Sequence, residues 1–82
     1  MIKVLFFAKL REQLGCEGIE MDAREVSTVA ELRRQLIEQH PRWAASLDDR
    51  NLLVAVNQTL AKAEHPVGVD DEVAFFPPVT GG

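Results

Sequence analysis

Hydrophobic positions alternate with polar ones in short runs near both ends of the chain, and recur at helical spacing in the middle. Ile2 to Ala8 is rich in β-forming residues. Lys3 belongs in solvent, so period two points Ile2, Val4 and Phe6 inward and puts Leu5 and Phe7 on the outer face with Lys3. Ala8 to Leu14 predicts a short helical turn that Gly15 stops. Gly18 to Arg24 alternates Ile19, Met21 and Ala23 with Glu20, Asp22 and Arg24, which predicts a half-exposed strand hairpinned to the first. Thr28-Val29-Ala30-Glu31 is a capping box, with Thr28 as N-cap and Glu31 reaching back. Val29, Leu32, Leu36 and Ile37 then share one helical face, while Arg33, Arg34 and Glu38 take the other. His40-Pro41 ends this helix, because a residue before proline is pushed out of the α region. A short turn over Arg42 to Leu47 follows, with Trp43 covering the edge of the core.

The nearly continuous apolar run Leu52 to Asn57 predicts a central strand. Asn57-Gln58-Thr59 turns the chain into a short strand near Leu60, and Pro66 to Asp71 is a loop of turn residues. Glu72 sets the parity of the last strand, Glu72 to Phe76, with Val73 and Phe75 inward and Ala74 and Phe76 outward. The order β-β-α-β-β-β predicts one α+β domain, a mixed sheet packed on one main helix. The crossover through that helix places the third strand parallel to its neighbour or one place removed, and several topologies satisfy this.

The 82 residues are 46% hydrophobic and 27% charged, a globular balance rather than a disordered one. A net charge of −4 disfavours nucleic acid and anionic membranes and suits a partner with a basic groove. The single cysteine, Cys16, excludes an internal disulfide or a CxxC metal site, and neither His40 nor His65 is placed beside it as a base. Both histidines precede a proline at an element end. The pairs Asp48-Asp49 and Asp70-Asp71 lack EF-hand spacing. The apolar run after Met1 is too short to span a bilayer and carries no cleavage pattern, so the cytoplasm is the expected location. Without a signal peptide the sequon Asn57-Gln58-Thr59 is not expected to meet the glycosylation machinery. No glycine-rich phosphate loop is present, and the chain is expected to bind no cofactor of its own.

The chemistry concentrates in Phe76-Pro77-Pro78-Val79-Thr80-Gly81-Gly82. Two consecutive prolines remove two donors, end the sheet and hold the chain near extended polyproline geometry. Residues 1–76 thus form the expected domain and 77–82 a semi-rigid arm. Gly81 and Gly82 have no Cβ and can thread a channel too narrow for side chains. The carboxylate of Gly82 is anionic at neutral pH and a poor electrophile, so it reacts only after activation, as in an acyl-adenylate made with ATP by another protein. Sulfur delivered to that acyl group leaves a thiocarboxylate; an amine leaves an isopeptide bond.

The segment Asp71 to Gly82, with Ile2-Lys3-Val4-Leu5-Phe6-Phe7-Ala8 and Ala55-Val56-Asn57-Gln58, resembles the small subunits of molybdopterin synthase along essentially the whole chain. The resemblance implies a ubiquitin-like β-grasp fold and a sulfur carrier in molybdenum cofactor biosynthesis. It implies that Gly82 is adenylated by an activating enzyme that uses ATP, becomes a thiocarboxylate, and enters the large catalytic subunit of a heterotetrameric synthase. There its sulfur builds the dithiolene of molybdopterin from cyclic pyranopterin monophosphate, two deliveries per product. The chain is then not catalytic alone, and Cys16 inherits no role. If the first and last strands are neighbours, as a β-grasp implies, Leu5, Phe7 and Phe76 lie on one side and Leu60 joins them. This is the expected partner face, leading into Pro77, Pro78, Val79 and Thr80. A thiamin-type sulfur carrier or a ubiquitin-like protein modifier shares the fold and the Gly-Gly end, but the Phe-Phe-Pro-Pro-Val stretch speaks against the thiamin type.

Overall fold

The computed structural model describes residues 1–78. In chain order it contains β1 (Ile2–Phe6), α1 (Ala8–Leu14), β2 (Gly18–Met21), α2 (Val29–Gln39), α3 (Ala44–Leu47), β3 (Leu53–Val56), β4 (Thr59–Leu60) and β5 (Glu72–Phe76). Short 3-10 turns at Ala23–Glu25 and Pro41–Trp43 interrupt the connections. The five strands form one sheet in the order β2-β1-β5-β3-β4. β1 and β5 run parallel, with Val4 beside Val73 and Phe6 beside Phe75, and the other neighbours are antiparallel. The first and last strands therefore lie together in the middle of the sheet.

Strand parity accounts for the core. Ile2, Val4 and Phe6 of β1 and Val73 and Phe75 of β5 are buried on the face that α2 covers, as their alternation with Lys3 and Glu72 requires. Val29, Leu32 and Leu36 close the layer from α2. The rings of Phe6 and Phe75 stack with centroids 6.3 Å apart, and Trp43 meets Phe6 edge-on at 5.4 Å, which seals the end of the core under α3. Among the described residues no polar or charged residue is buried.

Three local expectations are corrected. First, the strand expected over Gly18 to Arg24 stops at Met21. The Asp22 carboxylate accepts from the Arg24 N–H at 2.9 Å and from its guanidinium at 2.7 Å, which winds Ala23–Glu25 into a 3-10 turn. Those bonds hold the Asp22 carboxyl down at a pKa of about 2. Second, β3 is not central, because β5 occupies the middle and β3 lies next to the β4 edge. β3 points along β2 as a crossover demands, but both β1 and β5 stand between them. Its apolar run reflects apolar residues on both faces rather than a central place. Third, Thr28 caps α2 by accepting from the Glu31 N–H at 3.2 Å, but the Glu31 side chain reaches one residue further back, to the N–H of Ser27 at 2.8 Å and to its hydroxyl. Both Ser27 bonds favour the ionised Glu31 and lower its pKa.

A polar clamp sets the start of β5. Asn57 and Gln58 have φ of 51° and 71°, the left-handed pair of a tight β3–β4 hairpin. The Asn57 side chain accepts from the Glu72 N–H at 3.0 Å and donates to Asp71 Oδ1 at 3.0 Å. Asp71 Oδ2 accepts from the Gly68 N–H at 2.8 Å, and Asp71 O accepts from the Lys3 N–H at 2.9 Å. Two residues thus tie the hairpin, the preceding loop and β1 to the first residue of β5.

Two predictions follow from burial and from this clamp. Phe75 is 0% exposed, so Phe75→Ala lowers the unfolding free energy by about 3–5 kcal/mol, whereas half-buried Phe76→Ala costs under about 1.5 kcal/mol; urea midpoints decide between them. The Asp71 pKa is lowered, first by the Asn57 hydrogen bond and then by the Gly68 N–H. Its ionised form therefore stabilises the fold above the unfolded value near about 4, and this contribution is lost as the pH falls through the depressed native value. Asp71→Asn is accordingly less stable than the parent at neutral pH, and the gap closes below about pH 4 in thermal melts.

Candidate functional site, the outer sheet face and the arm

The same registers that bury one face of the sheet assemble the other. Leu5 lies beside Ala74, Ala74 beside Ala55, and Ala55 beside Leu60, a row across four strands. Leu53 lies beside Phe76. Phe7 extends the β1–β5 register by one, since its N–H donates to Phe75 O at 3.1 Å, so it stands next to Phe76. The result is a second row, Phe7-Phe76-Leu53, nearer the C-terminal end of β5. On the other side a polar row, Glu20-Lys3-Glu72, bounds the face.

Exposure separates this face from the core. Phe7 is 46% exposed, Leu53 37% and Leu60 67%, and Leu5 and Phe76 are half-buried. Ala55 is buried without joining the core cluster, because larger neighbours on the outer face shade it. Two backbone features keep the face shallow. Gly18 faces Leu5 across the β1–β2 ladder, where a Cβ would come within 2.4 Å of Val4 O. Ala8 adopts φ 55°, which turns the chain sharply into α1 and leaves Phe7 as its uncapped extended lead residue.

Phe7, Phe76 and Leu60 thus stand on one face as expected from the sequence, and the structure adds Leu53 and the alanines Ala55 and Ala74. Leu53 was hidden because every residue from Leu52 to Val56 is apolar, so no polar neighbour reveals its parity. Only the register with Phe76 reveals it. β5 ends at Phe76, Pro77 is half-buried and Pro78 exposed, so the arm leaves from this face's edge. Val79, Thr80, Gly81 and Gly82 lie outside the described residues.

The other candidates stay apart from this face. The Cys16 thiol donates to Gly18 O at 3.3 Å in a half-buried loop. His40 caps the C-terminus of α2 and stacks on Trp43 at 4.0 Å, and His65 Nδ1 lies 2.8 Å from Pro66 O. No group of three or more potential metal ligands occurs among the described residues, and none of their helices is long and apolar enough to cross a membrane.

The model of the ThiS family matches residues 4–82, from β1 through the terminal glycines. The chain belongs to the ThiS family. Within the proteins it resembles, the molybdopterin synthase sulfur carrier subunit of Escherichia coli is 55% identical over 82 residues, covering 100% of both chains. The protein of the same name from Haemophilus influenzae is 45% identical over 82 residues, again covering 100% of both. Among solved structures, SAMP1 from Haloferax volcanii has a TM-score of 0.83 at 28% identity, covering 99% of this chain and 98% of that one. The β-grasp architecture of this ThiS-family chain, a mixed five-stranded sheet on one main helix, is thereby shared with its structural neighbours.

Proposed function

We propose that this chain is the sulfur carrier of a molybdopterin synthase and that the C-terminal carboxyl carbon of Gly82 is its working atom. The observation that carries this reading is the 55% identity, along the full length, to a molybdopterin synthase sulfur carrier subunit. Residues 1–76 dock and residues 77–82 reach. An activating enzyme binds the ATP. The Gly82 carboxylate attacks the α-phosphorus, pyrophosphate leaves, and an acyl-adenylate forms. Sulfide then adds to the acyl carbon and AMP leaves with one carboxylate oxygen, so a thiocarboxylate remains.

The thiocarboxylate next enters the large catalytic subunit, where its sulfur attacks a carbon of the pterin precursor and displaces an oxygen leaving group. Water then cleaves the resulting thioester, which leaves the sulfur on the pterin and returns the Gly82 carboxylate. A dithiolene holds two sulfurs, so a heterotetramer with two carriers suits two deliveries. In this scheme Pro77 and Pro78 keep the arm extended, Val79 and Thr80 line its path, and Gly81 passes the narrowest point without a side chain. Phe7, Phe76 and Leu60, with Leu53, supply the apolar contact that holds each partner at the root of the arm. The chain alone performs no turnover.

Truncating the face weakens docking without unfolding the domain. Phe76→Ala and Phe7→Ala each raise the dissociation constant for the large subunit, by about 2 kcal/mol for a hot-spot aromatic, roughly 30-fold. Calorimetric titration checks this, and unchanged affinity in both variants would remove the face from the interface.

Changing the terminus abolishes transfer while leaving the fold alone. Deleting Gly82 withdraws the reactive carbon by about 3.3–3.6 Å, and a misplacement of even ~1 Å costs about 100-fold in a positioned reaction. Adding one residue after Gly82, or Gly81→Ile, fails in the same way, while thermal stability stays within about 0.5 kcal/mol of the parent. The assay is molybdopterin formation reconstituted with activating enzyme, ATP, sulfur donor and large subunit, alongside intact mass of the carrier. Sulfur transfer at near-parental rate by the chain lacking Gly82 would overturn the carrier reading.

A further inference from the structure

A groove of about 810 Å³ runs between α2 and the β3–β4 hairpin and reaches Leu53 and Leu60 at the margin of the apolar face. Its floor is apolar, built from Ile37, Leu52, Val54 and Ala61. Its rim is basic. Arg34, Arg50 and Lys62 are exposed there and have no carboxylate within salt-bridge distance among the described residues. Arg33 also lines the groove, but its guanidinium is tied to Leu47 O and Asp49 O, which fixes the wall rather than offering a contact. Four cations thus face two carboxylates, Glu38 and Asp48, in a chain whose overall charge is −4. The local sign is the reverse of the molecule's.

One side of the groove is a strand with a free edge. β4 pairs with β3 alone among the described strands. The Ala61 N–H turns inward to Val54 O at 3.0 Å, so by the alternation of an antiparallel ladder the N–H and C=O of Leu60 face away from β3. An exposed edge of this kind accepts an added strand.

We propose that this groove docks an extended acidic segment of a partner protein. Its carboxylates meet Arg34, Arg50 and Lys62, its apolar side chains rest on Ile37, Leu52 and Ala61, and its backbone runs beside Leu60. Charge complementarity selects the occupant. A second copy of this chain brings net negative charge but offers no described acidic strand with a free edge to lay there, since β2 carries Glu20 as its one carboxylate. The groove opens beside α2 and meets the apolar face only at Leu53 and Leu60, so its occupation leaves Phe7 and Phe76 uncovered. This inference is independent of sulfur transfer, and its failure leaves the carrier reading standing.

The test titrates the isotopically labelled full chain with an end-capped eight-residue peptide alternating glutamate and valine, followed by backbone amide shifts. The expected result is shifts at Leu60, Ala61 and Lys62 and along the Arg33–Glu38 side of α2, with affinity that falls as salt rises. The double variant Arg50→Glu, Lys62→Glu weakens binding at least about tenfold while its amide spectrum keeps the parent's dispersion, and Arg34→Glu alone weakens it by a smaller factor. A peptide with lysine in place of glutamate does not bind. Equal binding of the two peptides, shifts confined to Leu5, Phe7 and Phe76, or no shift would each overturn the proposal. Concentration-dependent shifts of the groove residues in the chain alone would assign the groove to a second copy and overturn it as well.

Discussion

The pairing of β1 with β5 is the constraint from which the rest of the molecule follows. It joins the two ends of the described chain in a parallel ladder at the centre of the sheet. Parallel strands need a crossover, so the chain between Phe6 and Glu72 must cross one face of the sheet, and α2 is the element that does so. Phe6 and Phe75 are adjacent only because of this register, and their stacked rings form the middle of the core. The Asn57–Asp71 clamp supports the same pairing from outside, because Asp71 O receives the Lys3 N–H while Asn57 holds Glu72. A fold closed by its last strand gains its central contacts late, since the loop-closure entropy must be met before they form.

The central ladder also explains why one domain carries two apolar faces. Along β1 and β5 the odd and even positions diverge fully. Val4, Phe6, Val73 and Phe75 are buried, while Leu5, Ala74 and Phe76 stay on the open side. Phe7, Leu53 and Leu60 stay exposed on that open side. Small residues at Ala74 and Ala55 keep the middle of that face low, and larger side chains flank them.

Legibility in the sequence tracked the presence of a polar marker. Lys3 and Glu72 reveal the parity of both central strands, so the sequence alone distinguishes inward Phe75 from outward Phe76. The Thr28 cap and the His40-Pro41 stop bounded α2 for equally local reasons. β3 has no such marker, and its uniform apolar run reflects two apolar faces rather than the middle of the sheet. The premature end of β2 depended on the Asp22 side chain competing for its own backbone, a choice that alternation alone does not display. Strand order was open from periodicity, because β5 inserts between β1 and β3 through contacts more than fifteen residues apart in sequence. The shared face of Phe7, Phe76 and Leu60 is legible once β1 and β5 are neighbours, while the groove beside α2 draws on residues from three separated segments and has no linear signature.

A carrier must present one atom at a fixed distance from a docked body, and this sets what the root of its arm has to be. β5 is held on both sides, by β1 and by β3, and Phe75 within it is wholly buried. The arm therefore starts from the least displaceable strand of the sheet rather than from an edge. One residue later, Phe76 already belongs to the outer row with Phe7 and Leu53. The apolar outer row and Pro77-Pro78 thus follow one another directly along the chain. A segment that left from β4, paired on one side only and two residues long, would take on the motion of the sheet edge. The parallel β1–β5 ladder thus supplies the stability of the fold and a firmly held root for the residues that follow Phe76.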